Sequence, residues 1–205
     1  MNSPADTPHR TGRLSQATLD RFAREVAKFP GEQKQSAVMA CLSIVQQEAG
    51  WVSREAEDEI AAYLGMAPIA VYEVTTFYNM YNQQPVGRWK LNVCTNLPCQ
   101  LRGGEQALQH LCSRLGVEEG GTSADGLFTI EGYECIAACT EAPCLQVNYR
   151  YFENVTPARF DAIVDDLRAG RDPEGQSIPP HGTLSRVALP VPVTAADRER
   201  PEEIS

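Results

Sequence analysis

Residues 93–105 read VCTNLPCQLRGGE, and residues 134–148 read ECIAACTEAPCLQVN. The first stretch holds Cys94 and Cys99 with four residues between them, and the second holds Cys135 and Cys139 with three between them. Thirty-five residues, 100 to 134, separate the pairs. Each pair falls just past or between segments that read as strands. Trp89, Leu91 and Val93 alternate with polar residues ahead of Cys94, and a segment that alternates from Leu145 follows Cys139. Thiols in loops at strand ends can be bent towards a common centre, and two such loops side by side make a four-sulfur site. Neither pair is C-x-x-C, so thioredoxin-type dithiol chemistry is disfavoured.

Downstream of the first pair, residues 104–115 carry Leu108, Leu111, Cys112 and Leu115 at helical spacing, and Gly116, Gly120 and Gly121 mark a loop. Residues 127–130 read as a short strand, and 145–149 and 151–155 as a hairpin. Thr156-Pro157 opens a last helix with the stripe Phe160, Ile163, Val164 and Leu167. This order fits a thioredoxin-like α/β domain over residues 88–170. Upstream, residues 15–82 read as four short helices forming a bundle. Their stripes are Leu19, Phe22, Ala23, Val26 and Ala27, then Val38, Cys41, Leu42, Val45 and Ala49. A third helix runs from a Ser53 cap to a Gly65 stop, and a fourth starts at Pro68 with Val71, Val74, Tyr78 and Tyr81 on one side. Residues 83–88, QQPVGR, read as a hinge. The fold class is therefore α+β: an N-terminal helical bundle, then the thioredoxin-like domain. Residues 1–14 read as a disordered lead, and 171–205, with six of the 14 prolines, as a disordered or extended tail.

Composition excludes several classes of function. The net charge is −9, with no basic stripe that would engage nucleic acid. No apolar run is long enough to cross a bilayer, since residues 60–74 are broken by Gly65 and Pro68. The first residues lack the apolar stretch of a secretory signal. Seven cysteines without an export signal point to metal or redox chemistry in a reducing compartment. The three histidines are scattered, so a histidine-rich metal site is not expected. There is no Gly-rich dinucleotide fingerprint after a strand, and no nucleophile beside a base. No residue here is a catalytic candidate.

On spacing alone the two pairs leave three readings open: an iron–sulfur cluster, a four-thiolate zinc site, or unligated cysteines. A cluster with four thiolates is anionic and needs N–H donors and a positive end nearby. Residues 100–104 offer Arg102, two glycines and the start of a helix behind Cys99. Ala137 and Ala138 are small enough for a close approach.

Together with the upstream TTFYNMY of residues 75–81, these stretches resemble the small [2Fe-2S] subunit of respiratory NADH dehydrogenase, complex I, over about residues 15–165. The resemblance implies a helical domain followed by a thioredoxin-like domain, and one [2Fe-2S] cluster on Cys94, Cys99, Cys135 and Cys139. It implies a partner subunit carrying FMN and the NADH site, with further peripheral-arm subunits around it. This chain is then a non-catalytic electron-transfer subunit of NADH:quinone oxidoreductase, held at the cytoplasmic side of the inner membrane through its partners; a mitochondrial matrix placement comes second. The family usually has glycine where Ala137 stands and often methionine where Cys144 stands, and the tail differs from the family pattern. Neighbouring cysteines most easily chelate the same iron, so Cys94 and Cys99 are expected on one iron and Cys135 and Cys139 on the other. All-cysteine ligation implies a low potential, about −400 mV.

The rival expectations are a diaphorase-module subunit of a soluble NAD-linked hydrogenase or formate dehydrogenase, a free-standing ferredoxin, and a zinc-stabilised interaction protein. Cys41 and Cys112 sit on apolar helix stripes and read as core. Cys144 reads as a packed bystander, or else as a spare thiol able to replace Cys139. The aromatics from Tyr72 to Tyr81 read as core or partner interface.

Overall fold

The computed structural model describes residues 14–173 and 176–178. The expected disordered lead, apart from Leu14, and most of the Pro-rich tail lie outside the described residues. Four α-helices come first: α1 (Gln16–Val26), α2 (Val38–Ala49), α3 (Arg54–Leu64) and α4 (Pro68–Phe77). Ser53 caps α3 by accepting from the Ala56 N–H, and Gly50 and Gly65 end α2 and α3 in the left-handed region, which a residue without Cβ enters freely. Phe22, Leu42, Ile60, Leu64 and Val71 form the core of this part, with Cys41 among them as expected. The structure adds a 3₁₀ turn at Gly31–Ala37. Its residues, GEQKQSA, carry no apolar period to betray it.

The fourth helix is shorter than its aromatic spacing suggests. Thr75 and Thr76 donate their hydroxyls back to the Val71 and Tyr72 carbonyls, a pattern that weakens a helix end. Tyr78 leaves in an extended conformation. Tyr81 then folds under the bundle, where its hydroxyl donates to the Met39 carbonyl (2.9 Å), while Phe77 is left 80 % exposed.

The remainder is a mixed sheet with two helices on one face. Its strands are β1 (Trp89–Cys94), β2 (Phe128–Tyr133), β3 (Leu145–Val147), β4 (Arg150–Phe152) and β5 (Gln176–Ile178), in the order β2-β1-β3-β4-β5. β1 and β2 are parallel and every other pairing is antiparallel. β5 lies inside the stretch that reads as tail and adds an edge strand beside β4. The helices are α5 (Leu97–Leu101), α6 (Gly104–Leu115) and α7 (Pro157–Arg168). Leu91, Val93, Phe128, Ile130 and Val147 meet Leu108 and Leu111 of α6 and Phe160 and Ile163 of α7 in one core. Arg114 pairs with Asp161 and Asp165 across the two helices.

The connection that reads as a hinge is tied down. Gly87 donates to Thr129 Oγ1 (2.6 Å), and a Cβ on it would meet the Phe128 backbone at 2.9 Å. The opposite face of the sheet is polar and touches the helical part. Lys90 Nζ donates to Asn82 Oδ1, Tyr133 Oη to the Asn79 carbonyl, and Gln46 Nε2 to Tyr149 Oη.

Candidate metal centre

All four cysteines of the two pairs come to one end of the sheet, past the C-terminal ends of the parallel strands β1 and β2. Cys94 is the last residue of β1, and its N–H donates to the Cys144 carbonyl (3.2 Å). Cys99 is 1 % exposed and sits on α5, a five-residue helix with Pro98 in its first turn. The sequence suggests an open loop for this pair, because five residues are too few to show helical periodicity. Gly104 then starts α6 against both cysteines. A Cβ there would lie 2.6 Å from the Cys94 carbonyl oxygen and 3.0 Å from that of Cys99. Only glycine lets the helix begin so close to the first pair.

The second pair lies on an outward-facing loop after β2. Cys135 and Cys139 are exposed, while Ile136 and Ala138 between them turn inward. Ala137 holds a left-handed φ of 61°, the conformation that glycine adopts without strain. The resemblance places glycine at this position, and the backbone shows why. The turn aims the Ala137 N–H at Cys135 Sγ (3.3 Å), and the Cys135 and Cys139 sulfurs stand 3.9 Å apart. The two loops are joined where the Cys94 thiol donates to the Glu134 carbonyl (3.8 Å). Beneath them Cys94, Cys99, Tyr133, Ile136, Ala138, Ala142 and Cys144 form a small separate core.

Cys99, Cys139 and Cys144 resist ionisation. Burial, then the hydrogen bond with Cys94, pushes Cys99 up to about 11. The neighbouring Cys135 thiol raises Cys139. Burial, then the charge of Cys99, pushes Cys144 up to about 12. Crowded sulfurs of this kind become thiolates only when a cation offsets their charge.

Two thiolates on one tetrahedral metal, at metal–sulfur distances of about 2.3 Å, stand about 3.8 Å apart, close to the second pair's separation. Among the described residues no three His, Cys, Asp or Glu side chains converge on a single point. Loop N–H groups supply the donors an anionic cluster requires.

Fold and site together point to an electron-carrying class: a thioredoxin-like domain with two cysteine pairs at one end of its sheet. A family model described as thioredoxin-like [2Fe-2S] ferredoxin matches residues 22–168. The chain belongs to that family, and its cofactor is a [2Fe-2S] cluster. It is 41 % identical over 161 residues to NADH-quinone oxidoreductase subunit 2 of Thermus thermophilus, covering 78 % of this chain and 89 % of the relative. It is 40 % identical to an NADH-quinone oxidoreductase subunit of Rhizobium meliloti, covering 70 % of this chain and 84 % of that one. A mitochondrial NADH dehydrogenase [ubiquinone] flavoprotein 2 from Dictyostelium discoideum is 35 % identical over 76 % of this chain and 63 % of its own. A solved NAD+-reducing [NiFe]-hydrogenase shares the fold at a TM-score of 0.59 and 19 % identity, over 70 % of this chain and 25 % of that one.

Proposed function

We propose that this chain is the electron-transfer subunit of an NADH:quinone oxidoreductase, with Cys94 and Cys99 holding one iron and Cys135 and Cys139 the other. The observation that carries the ligand assignment is that both thiol pairs lie at one sheet end, with the Cys135 and Cys139 sulfurs 3.9 Å apart. The assignment to the quinone-reducing complex, rather than to an NAD-linked hydrogenase, rests on relatives at 35–41 % identity that span most of this chain. The cluster supplies a site that accepts and releases one electron at a time. The chain's own residues hold it, shield it from below with Ile136, Ala138 and Ala142, and leave the Cys135–Cys139 side open to an electron partner.

That partner is the subunit carrying FMN and the NADH site. Phe77, Tyr78 and Met80 form an exposed apolar patch at the end of α4, next to the Asn79 carbonyl that Tyr133 anchors. Exposed aromatics and methionine of this kind are enriched at interface cores. Among the described residues no helix is long and apolar enough to cross a membrane.

The test is to co-express the chain with a flavin-carrying subunit and record iron content, absorbance and EPR before and after dithionite. Two irons per chain and a reduced-state EPR signal are expected; zinc, or four irons, overturns the reading. Phe77→Asp should break co-purification while leaving the iron in place, and unchanged co-purification would remove the patch from the interface.

A further inference from the structure

Cys144 belongs to neither thiol pair, yet it is packed beneath the loop that carries the second. It is 1 % exposed. Its Sγ lies 2.9 Å from the Ala138 carbonyl oxygen and 3.3 Å from that of Glu141, so the S–H donates into the segment that brackets Cys139. Its own carbonyl accepts from the Cys94 N–H, which anchors it to β1. The Glu141 carbonyl has a second donor in the Asn154 N–H (2.7 Å), and the Ala138 carbonyl a weaker one in the Glu141 N–H (3.2 Å). The thiol is thus the shortest hold on the Ala138 carbonyl.

A trans peptide points its C=O and N–H in opposite directions. Turning the Ala138 carbonyl inward to Cys144 therefore turns the Cys139 N–H outward, to the side where the Cys135 and Cys139 sulfurs stand. The Glu141 carbonyl does the same for the Ala142 N–H. The Ala137 N–H indeed lies against Cys135 Sγ (3.3 Å).

We propose that Cys144 is a positioning residue for the cluster: its thiol holds the loop carbonyls away from the sulfurs and so keeps the loop N–H groups facing them. N–H donors to cluster sulfurs favour the reduced, more negative state and raise the reduction potential. A carbonyl released to swing outward lowers it. The proposal rests on Cys94, Cys99, Cys135 and Cys139 being the ligands, and the native chain tests that separately: a chain without two irons defeats the ligand reading, whatever Cys144 does.

The experiment compares the full-length native chain with Cys144→Ala, Cys144→Met and Cys144→Ser, each loaded with iron and sulfide. Alanine and methionine remove the donor, one leaving a gap and the other filling it; serine keeps a donor in nearly the same place. Iron content, midpoint potential and EPR g-values are read. The expected result is a more negative midpoint and shifted g-values in the alanine and methionine variants, with serine returned towards native. Loss of iron in alanine and methionine but not in serine supports the same conclusion. Native midpoints and g-values in both donor-free variants overturn it. So does a serine variant displaced, or emptied of iron, as far as alanine, because packing would then be what Cys144 supplies.

Discussion

Replacing Gly104 with alanine tests how tightly the first thiol pair is built into the fold. The added Cβ would stand 2.6 Å from the Cys94 carbonyl oxygen and 3.0 Å from both the carbon and the oxygen of the Cys99 carbonyl. Ordinary contact begins at about 3.5 Å, so something must move by about 0.9 Å. None of these atoms is the tip of a flexible side chain. Cys94 is fixed in β1 by its bonds to β2 and β3, and α6 by Leu108 and Leu111 in the core, so α5 with Cys99 is the element that yields. Overpacking of this kind costs about 1–3 kcal/mol. For a chain of this size 1 kcal/mol corresponds to roughly 2–4 °C in Tm, so the iron-loaded variant should melt about 2–12 °C lower. The Cys99 sulfur moves with α5, so iron per chain should also fall below two. Gly103→Ala is the control. A Cβ there meets only the Gln106 side chain at 3.7 Å, and the φ of 92° costs strain without displacing a cysteine. It should lower Tm and keep its iron. A Gly104→Ala chain with native Tm and full iron would refute the reasoning, as would a Gly103→Ala chain that loses iron just as readily.

Ala137→Gly should stabilise the chain. Left-handed backbone costs a residue with a Cβ about 1–2 kcal/mol, and the freer unfolded chain returns about 0.4–1 kcal/mol of that, so a net gain of about 0.5–1 kcal/mol is expected in thermal unfolding. Thr156 accepts from the Arg159 N–H at the start of α7, and Thr156→Ala should lose about 0.5–2 kcal/mol in denaturant titration while leaving iron content unchanged. Tyr133→Phe removes the bond to the Asn79 carbonyl, worth about 0.5–1.5 kcal/mol, and should speed amide exchange across residues 79–82; unchanged exchange there would mean that the hydroxyl does not anchor the segment.

The helices that sequence shows best are those whose apolar period agrees with their caps. α3 between Ser53 and Gly65, and α6 ending at Gly116, run as their patterns predict. The five residues of α5 are too few to carry a period, which is why α5 reads as loop, and Gly31–Ala37, broken by a non-helical Gln33, leaves no mark on the pattern. α4 shows the opposite failure. Tyr78 and Tyr81 continue its spacing, but threonine back-bonding and the burial of Tyr81 against Met39 end the helix at Phe77, turning one continuous stripe into a core residue and an exposed patch. β5 depends on the free edge of β4, a tertiary fact that residues 176–178 do not announce.

For the metal centre, the legible part is local and the illegible part is register. Two cysteines four or five positions apart can reach one iron from a single loop, so each pair is visible in its own spacing. Bringing the pairs together is the work of the parallel alignment of β1 and β2, in which Cys94 stands opposite Tyr133, two residues before Cys135. A slip of one residue would turn every side chain of β2 to the other face. Phe128 and Ile130 would leave the core, and the second loop would no longer start level with the first. The core therefore enforces the register, and the register brings the sulfurs to the same end. Cys144 illustrates the limit of spacing from the other side. Five residues after Cys139, it reads in the sequence as a packed bystander, or else as a spare thiol able to replace that residue. In the fold it faces inward, held by the Ala138 and Glu141 carbonyls, so replacing a ligand would require it to give up both bonds and leave its core.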